Sequence, residues 1–179
     1  MAQQIFNITT AQLKEIIPQL SVGDRIYLTG TVYTARDAAH KRIFTLLDEG
    51  AELPFPIEDS IVYYAGPTPA KNGMAVGSCG PTTSSRMDAF APRLLDLGMT
   101  AMIGKGDRSQ DVIDAIRRNG AVYLCAVGGA GALIAKCIKA AEEIAFLDLG
   151  CESVKKLEIS ELPLIVGIDA AGNSIFERN

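Results

Sequence analysis

The sequence predicts an α/β domain built on a mixed sheet, and three observations point to it. Short runs rich in β-branched and apolar residues at 25–33, 61–66, 100–103 and 121–127 read as strands. Between and after the later runs lie segments with apolar residues three and four apart, the pattern of helices that cover a sheet. The first half is strand-rich, and the end, 162–176, reads as a hairpin around Ala170-Ala171-Gly172-Asn173. Antiparallel and parallel pairing therefore coexist, and a purely doubly wound sheet is not expected.

Each element has its own justification. Thr9 and Thr10 supply hydroxyl caps to a short helix with Leu13, Ile16 and Ile17 on one face, closed near Pro18. Val22-Gly23-Asp24 is a turn into the first strand. Ala39, Ile43, Leu46 and Leu47 then mark a helix, for which Thr34 is the candidate cap. Residues 50–59 form a proline-containing loop, and Lys71-Asn72-Gly73 belongs to a second loop before the apolar run 74–77. Met87, Phe90, Ala91, Leu94 and Leu95 predict a further helix closed by Gly98. Residues 110–118 form another, and Gly128-Gly129-Ala130-Gly131 opens one running to about Ala140. Residues 144–147 read as a strand.

Composition excludes several functional classes. The 179 residues suit one domain, 1–179, that buries roughly 70% of its unfolded surface without needing a disulfide or metal. Seventeen basic against 21 acidic residues leave a net charge of −4 with no basic run, so nucleic acid is not the expected partner. Met1 to Asn7 carries neither a basic region nor an apolar core of signal-peptide length, and no run approaches ~18 apolar residues. No membrane partner is expected, and the expected location is the cytoplasm. Cys79, Cys125, Cys137 and Cys151 form no C-x-x-C, and His40 is the sole histidine. Free, mostly buried thiols fit better than a zinc site, and the spacing gives no support for an iron–sulfur cluster on this chain.

Three loops carry the candidate chemistry. They are Thr34-Ala35-Arg36-Asp37-Ala38-Ala39-His40, Gly80-Pro81-Thr82-Thr83-Ser84-Ser85-Arg86 and Gly104-Lys105-Gly106-Asp107-Arg108-Ser109. Each sets a cation beside small residues ahead of a predicted helix, where free N–H groups favour an anion. Any one of them could be a capped turn. Together, Arg36, Arg86 and Lys105 around hydroxyl donors describe a pocket for a small di-anion. His40 titrates near neutrality and is a candidate base, although a lone histidine on a helix face is more often structural. Gly128-Gly129-Ala130-Gly131 lacks the third glycine of a dinucleotide loop, whose place is taken by Ile134.

These three loops, with Met87 and Asp88 extending the second, resemble the C-terminal domain of the class I fumarases. In two-subunit enzymes that domain is a separate β subunit, and the β subunit of L-tartrate dehydratase shares its architecture. The resemblance runs from about residue 20 to 170. Ser84-Ser85 departs from the commoner small residue plus glycine. The resemblance implies a swivelling β/β/α three-layer domain and the reversible anti addition of water to fumarate, giving (S)-malate. It implies a [4Fe-4S] cluster held by three cysteines of a separate cluster-binding α subunit, and hence a hetero-oligomer. By the same likeness Thr82 is the base at the substrate's C3. Arg36, Arg86 and Lys105 bind the substrate carboxylates, with Thr83 as a further substrate-binding residue. Three readings follow: a fumarate hydratase subunit, a subunit for tartrate or another hydroxy-dicarboxylate, and a non-catalytic dicarboxylate-binding module.

Overall fold

The computed structural model describes residues 3–71 and 73–176. Met1, Ala2 and Asn72, placed above in the N-terminal segment and a loop, lie outside them. The elements in chain order are β1 (Ile5–Thr9), α1 (Thr10–Ile16), β2 (Arg25–Thr34), α2 (Asp37–Glu49), β3 (Ile61–Tyr63), α3 (Ala91–Asp96), β4 (Ala101–Gly104), α4 (Gln110–Asn119), β5 (Val122–Cys125), α5 (Gly131–Cys137), β6 (Ile138–Ala145) and β7 (Val154–Ile168).

The seven strands form one mixed sheet. β1, β3, β4 and β5 run parallel with β2, and β7 runs antiparallel to β2, β5 and β6. Because β7 pairs with both β5 and β2, the strands β2–β3–β4–β5–β7 close into a ring. β1 continues along β2, and β6 along β7. Side chains alternate between two cores, as the period of two requires. Ile61, Tyr63, Ile103, Leu124 and Leu164 join one core. Val62, Tyr64, Met102 and Tyr123 join another, under α2, α3 and α4.

Several elements differ from their sequence expectation. β1 carries little signal in the sequence, because its residues alternate weakly at an exposed edge. The helix expected to run to about Ala140 ends at Cys137, and Ile138–Ala145 is a strand. That segment is rich in Ala, Glu and Lys, yet pairing with β7 overrides its helical propensity. The hairpin expected at 162–176 is instead the end of the 15-residue β7, closed back only by a bridge from Ile168 to Ser174. A bulge disguises this strand. Glu161 has φ +51°, the register slips opposite Gly30, and Pro163 follows. Gly30 itself has φ +132°, and the Thr10 side chain fills the place of its missing Cβ. The helix around Met87 divides into a 3₁₀ turn (Ser84–Met87) and α3, although Met87, Ala91, Leu94 and Leu95 of the expected face are buried and Phe90 is half-buried. Thr34 is no cap: it lies inside β2, where its hydroxyl accepts from the Lys155 N–H at 3.0 Å. Arg36 occupies the N-cap of α2. The Thr9 capping box of α1 is present.

Among the described residues, no helix is long and apolar enough to cross a membrane.

Candidate active site

β2, β3, β4 and β5 are parallel neighbours, in register at Thr34–Tyr63, Tyr63–Ile103 and Ile103–Leu124. The loops after them therefore emerge on one edge, where ligands of α/β sheets bind. All three sequence-derived loops reach this edge. The second is held most tightly. Ala65 pairs with Pro81, and the Thr82 N–H donates to the Tyr64 carbonyl at 2.8 Å. On its other side Thr83 pairs with Lys105, and the Ser84 N–H donates to the Lys105 carbonyl at 2.9 Å. Residues 81–84 thus form a strand-like wedge between the extensions of β3 and β4.

The wedge depends on Gly104. A Cβ there would lie 1.9 Å from Ser84 Oγ. The Ser84 hydroxyl occupies that space, and the Lys105 N–H donates to it at 3.0 Å. Tyr123 Oη, from β5, lies 2.9 Å from Ser84 Oγ and 2.9 Å from the Gly106 carbonyl oxygen.

Thr82 is half-buried and Thr83 exposed. Among the described residues neither hydroxyl makes a hydrogen bond, and Thr83, at the N-cap of the 3₁₀ turn, does not cap it. Lys105 is exposed, forms no ion pair among the described residues, and extends along Gly128. Arg86 Nε donates to Asp37 Oδ1 at the start of α2 at 3.1 Å, and Nη2 lies at ion-pair distance, 2.9 Å, from Oδ2, which accepts no hydrogen bond among the described residues. Arg36 packs against Gly66, its Nε 3.5 Å from Glu152 Oε1. The structure therefore brings Arg36, Thr82, Thr83, Arg86 and Lys105 to one edge.

His40 sits beneath that edge with 0% exposure. It packs against the rings of Phe90 and Tyr64. Its Nδ1–H donates to the Arg36 carbonyl at 2.8 Å, which fixes the tautomer. Burial pushes its pKa down to about 4, so the ring is neutral at pH 7.

Sequence reasoning missed four residues that build the edge. Arg108 is buried, donates from Nε to Asp88 Oδ1 at 2.7 Å, and lies over the rings of Tyr64 and Tyr123. The other Asp88 oxygen accepts the Ser109 N–H at 2.6 Å, so the start of α4 is already occupied by an internal carboxylate. Asp88 and Arg108 stand in the motifs, and an Arg next to an Asp in a glycine loop is a usable signal. Ser84 also lies in a motif, masked by its small neighbours. Tyr123 carries no local signal, since it reads as one more apolar strand residue.

None of the five principal clefts among the described residues is lined by Thr82, Thr83, Arg86, Lys105, Arg36 or His40. The cationic edge is open. The four thiols are dispersed, and no three His, Cys, Asp or Glu side chains gather as metal ligands among the described residues. Burial pushes the Cys79 thiol up to about 12 and Cys125 to about 11, against thiolate formation. These residues do not fit an iron–sulfur cluster.

Two arginines, a lysine and two threonine hydroxyls without hydrogen-bond partners among the described residues thus share one strand edge of an α/β domain. The chain belongs to the fumarase C-terminus family, which matches it over residues 2–179. It is 42% identical over 171 residues to the anaerobic class I fumarate hydratase of Escherichia coli, covering 93% of this chain and 31% of that protein. It is 41% identical over 171 residues to a Methanocaldococcus jannaschii protein named "Putative L(+)-tartrate dehydratase subunit beta", covering 92% of this chain and 88% of that one. A class I fumarate hydratase of Geobacillus stearothermophilus, also named as putative, is 34% identical over 180 residues, covering 98% of this chain and 34% of its own length. The chain thus spans about a third of the fumarate hydratases it matches and most of the tartrate dehydratase subunit.

Proposed function

We propose that this chain is the β subunit of a two-subunit iron–sulfur hydro-lyase that interconverts fumarate and (S)-malate in the cytoplasm. The observation that carries the reading is the wedge at residues 81–84, which sets Thr82 and Thr83 beside Lys105, with Arg86 one turn on. The chain acts as a single domain, and its two cores on opposite sheet faces accord with a swivelling three-layer arrangement.

The roles follow from charge. Removing the proton at C3 builds negative charge on the neighbouring carboxylate. Arg36 and Arg86 hold the two carboxylates by fork contacts, and Lys105 adds a point charge where that negative charge grows. Thr82, as its alkoxide, takes that proton as the C2 hydroxide leaves, and the partner subunit's cluster would supply the Lewis acid for that hydroxide. A threonine hydroxyl is a poor base in water, so it needs dry, cationic surroundings. On the isolated chain the edge is open, and covering by the cluster-bearing α subunit supplies the dryness. The [4Fe-4S] cluster belongs to that subunit. His40, neutral and enclosed, holds the Arg36 carbonyl rather than reaching substrate.

A second reading, L(+)-tartrate dehydration, is favoured by the Methanocaldococcus relative, a stand-alone subunit of nearly the same length. The test is co-expression with a cluster-binding subunit, anaerobic reconstitution and a substrate panel. Turnover of fumarate and malate above tartrate is expected. Preference for tartrate would establish the second reading. Dicarboxylate binding without turnover would leave a binding module.

A further inference from the structure

We infer that Tyr123 is a positioning residue that sets Lys105 and the Thr82–Thr83 loop in catalytic register through a one-way hydrogen-bond circuit; the inference rests on the hydro-lyase reading. The circuit follows from counting hydrogens. Tyr123 Oη stands 2.9 Å from both the Gly106 carbonyl oxygen and Ser84 Oγ, but a phenol has a single hydrogen. The carbonyl can only accept, so Tyr123 donates to Gly106. The Ser84 hydroxyl must then donate to Tyr123 Oη. That leaves Ser84 Oγ free to accept the Lys105 N–H, which it does at 3.0 Å. The sense is fixed: Lys105 N–H to Ser84, Ser84 O–H to Tyr123, Tyr123 O–H to Gly106.

The circuit begins and ends on either side of the Lys105 α-carbon. It therefore fixes the backbone of the residue whose ammonium faces the edge. It also ties that backbone to Ser84, whose own N–H bonds the Lys105 carbonyl and whose neighbour Thr83 pairs with Lys105. Gly106 needs the restraint, since at φ +81° it is the loop's free joint. Tyr123 suits the task. It is fully buried on β5, and its ring lies against the Arg108 guanidinium at 4.9 Å, so it cannot swing. Ser84 is likewise fully buried. Neither reaches the open edge, so both act through Lys105 and the two threonines.

The test is Tyr123→Phe in the assembled, reconstituted complex, with Ser84→Ala and the double variant beside it. Phenylalanine keeps the ring and removes only the hydroxyl. Three quantities are read: kcat and KM per intact cluster, thermal midpoint, and hydrogen exchange of the Lys105 amide. The expected result is a fall in kcat on the order of 10- to 100-fold with KM within about threefold. Lys105 amide protection should fall in parallel. Because both variants cut one circuit, the double variant should be little worse than the worse single. A fully active wild-type assembly with an equally active Tyr123→Phe overturns the positioning role, whatever the thermal midpoint does. Unchanged Lys105 exchange overturns the circuit itself. A wild-type assembly with no hydratase turnover overturns the hydro-lyase reading and the role that depends on it, while the exchange measurement still separates that failure from an absent circuit.

Discussion

Thr82 and Thr83 are adjacent, and neither hydroxyl is committed to the fold. Removing either should therefore cost little stability, unlike loss of a true cap at ~1 kcal/mol. Thr82→Ala should lower kcat by ~100-fold or more, the scale of general base loss, with malate binding nearly kept. Thr82→Ser should retain part of the rate. Exchange of the malate C3 proton with solvent deuterium separates the candidates: exchange surviving in Thr82→Ala but lost in His40→Asn would move the base to His40. Arg86 is paired with Asp37 by one Nε hydrogen bond and an Nη2 ion-pair contact, and its planar guanidinium is a geometry lysine cannot copy. Arg86→Lys should cost about 2 kcal/mol in kcat/KM, and wild-type kinetics would refute the carboxylate contact. His40 makes a pH prediction. Its folded pKa of about 4 lies below the ordinary 6.5, so between these values only the unfolded chain binds its proton. Its contribution is intact above pH 6.5 and is lost as pH falls toward 4, about 3 kcal/mol in all. The gap between wild type and His40→Gln in denaturant midpoint should narrow over that range, and a gap independent of pH would contradict the buried neutral ring.

At the scale of elements, α4 is anchored by a carboxylate from the loop before α3. Asp88 neutralises the buried Arg108 and accepts from the N-cap residue of α4, Ser109, at once. Asp88→Ala would strand a guanidinium with 0% side-chain exposure, at a cost of roughly 3–5 kcal/mol. For a chain this long that is a fall in thermal midpoint on the order of 10 °C, measurable by calorimetry. An unchanged midpoint would mean that Arg108 finds another partner. The same elements show what was legible in the sequence. Arg36, Thr82, Arg86 and Lys105 were readable because each sits in a short contiguous motif and parallel strands deliver such motifs to one edge. Tyr123 and Asp37 take their meaning from contacts that no local window contains. β6 looks helical because Ala, Glu and Lys dominate it, and only its partner β7 makes it a strand. β7 was hidden by Glu161 and Pro163, whose bulge is intelligible only opposite Gly30 of β2.

At the scale of the whole molecule, the proposed reading assigns the cluster to another chain. Anaerobic reconstitution of the isolated chain with iron and sulfide should give no stoichiometric [4Fe-4S] absorption and no hydratase turnover. A stable cluster on this chain, or activity without a partner, would overturn the two-subunit reading. The closure of β2–β3–β4–β5–β7 has a further consequence, for how the chain acquires its shape. β2 accepts β7 only across a wide interval: Thr34 meets Lys155, 121 residues later. While the ribosome is still delivering the intervening residues, one side of β2 has no companion, and β5 also waits. Joining such distant segments is slow, and bare strand edges recruit neighbouring chains meanwhile. Truncation before β7 would therefore do more than delete a strand. It would leave β2, β5 and β6 without their shared companion on every nascent molecule, and the product would collect as insoluble aggregate.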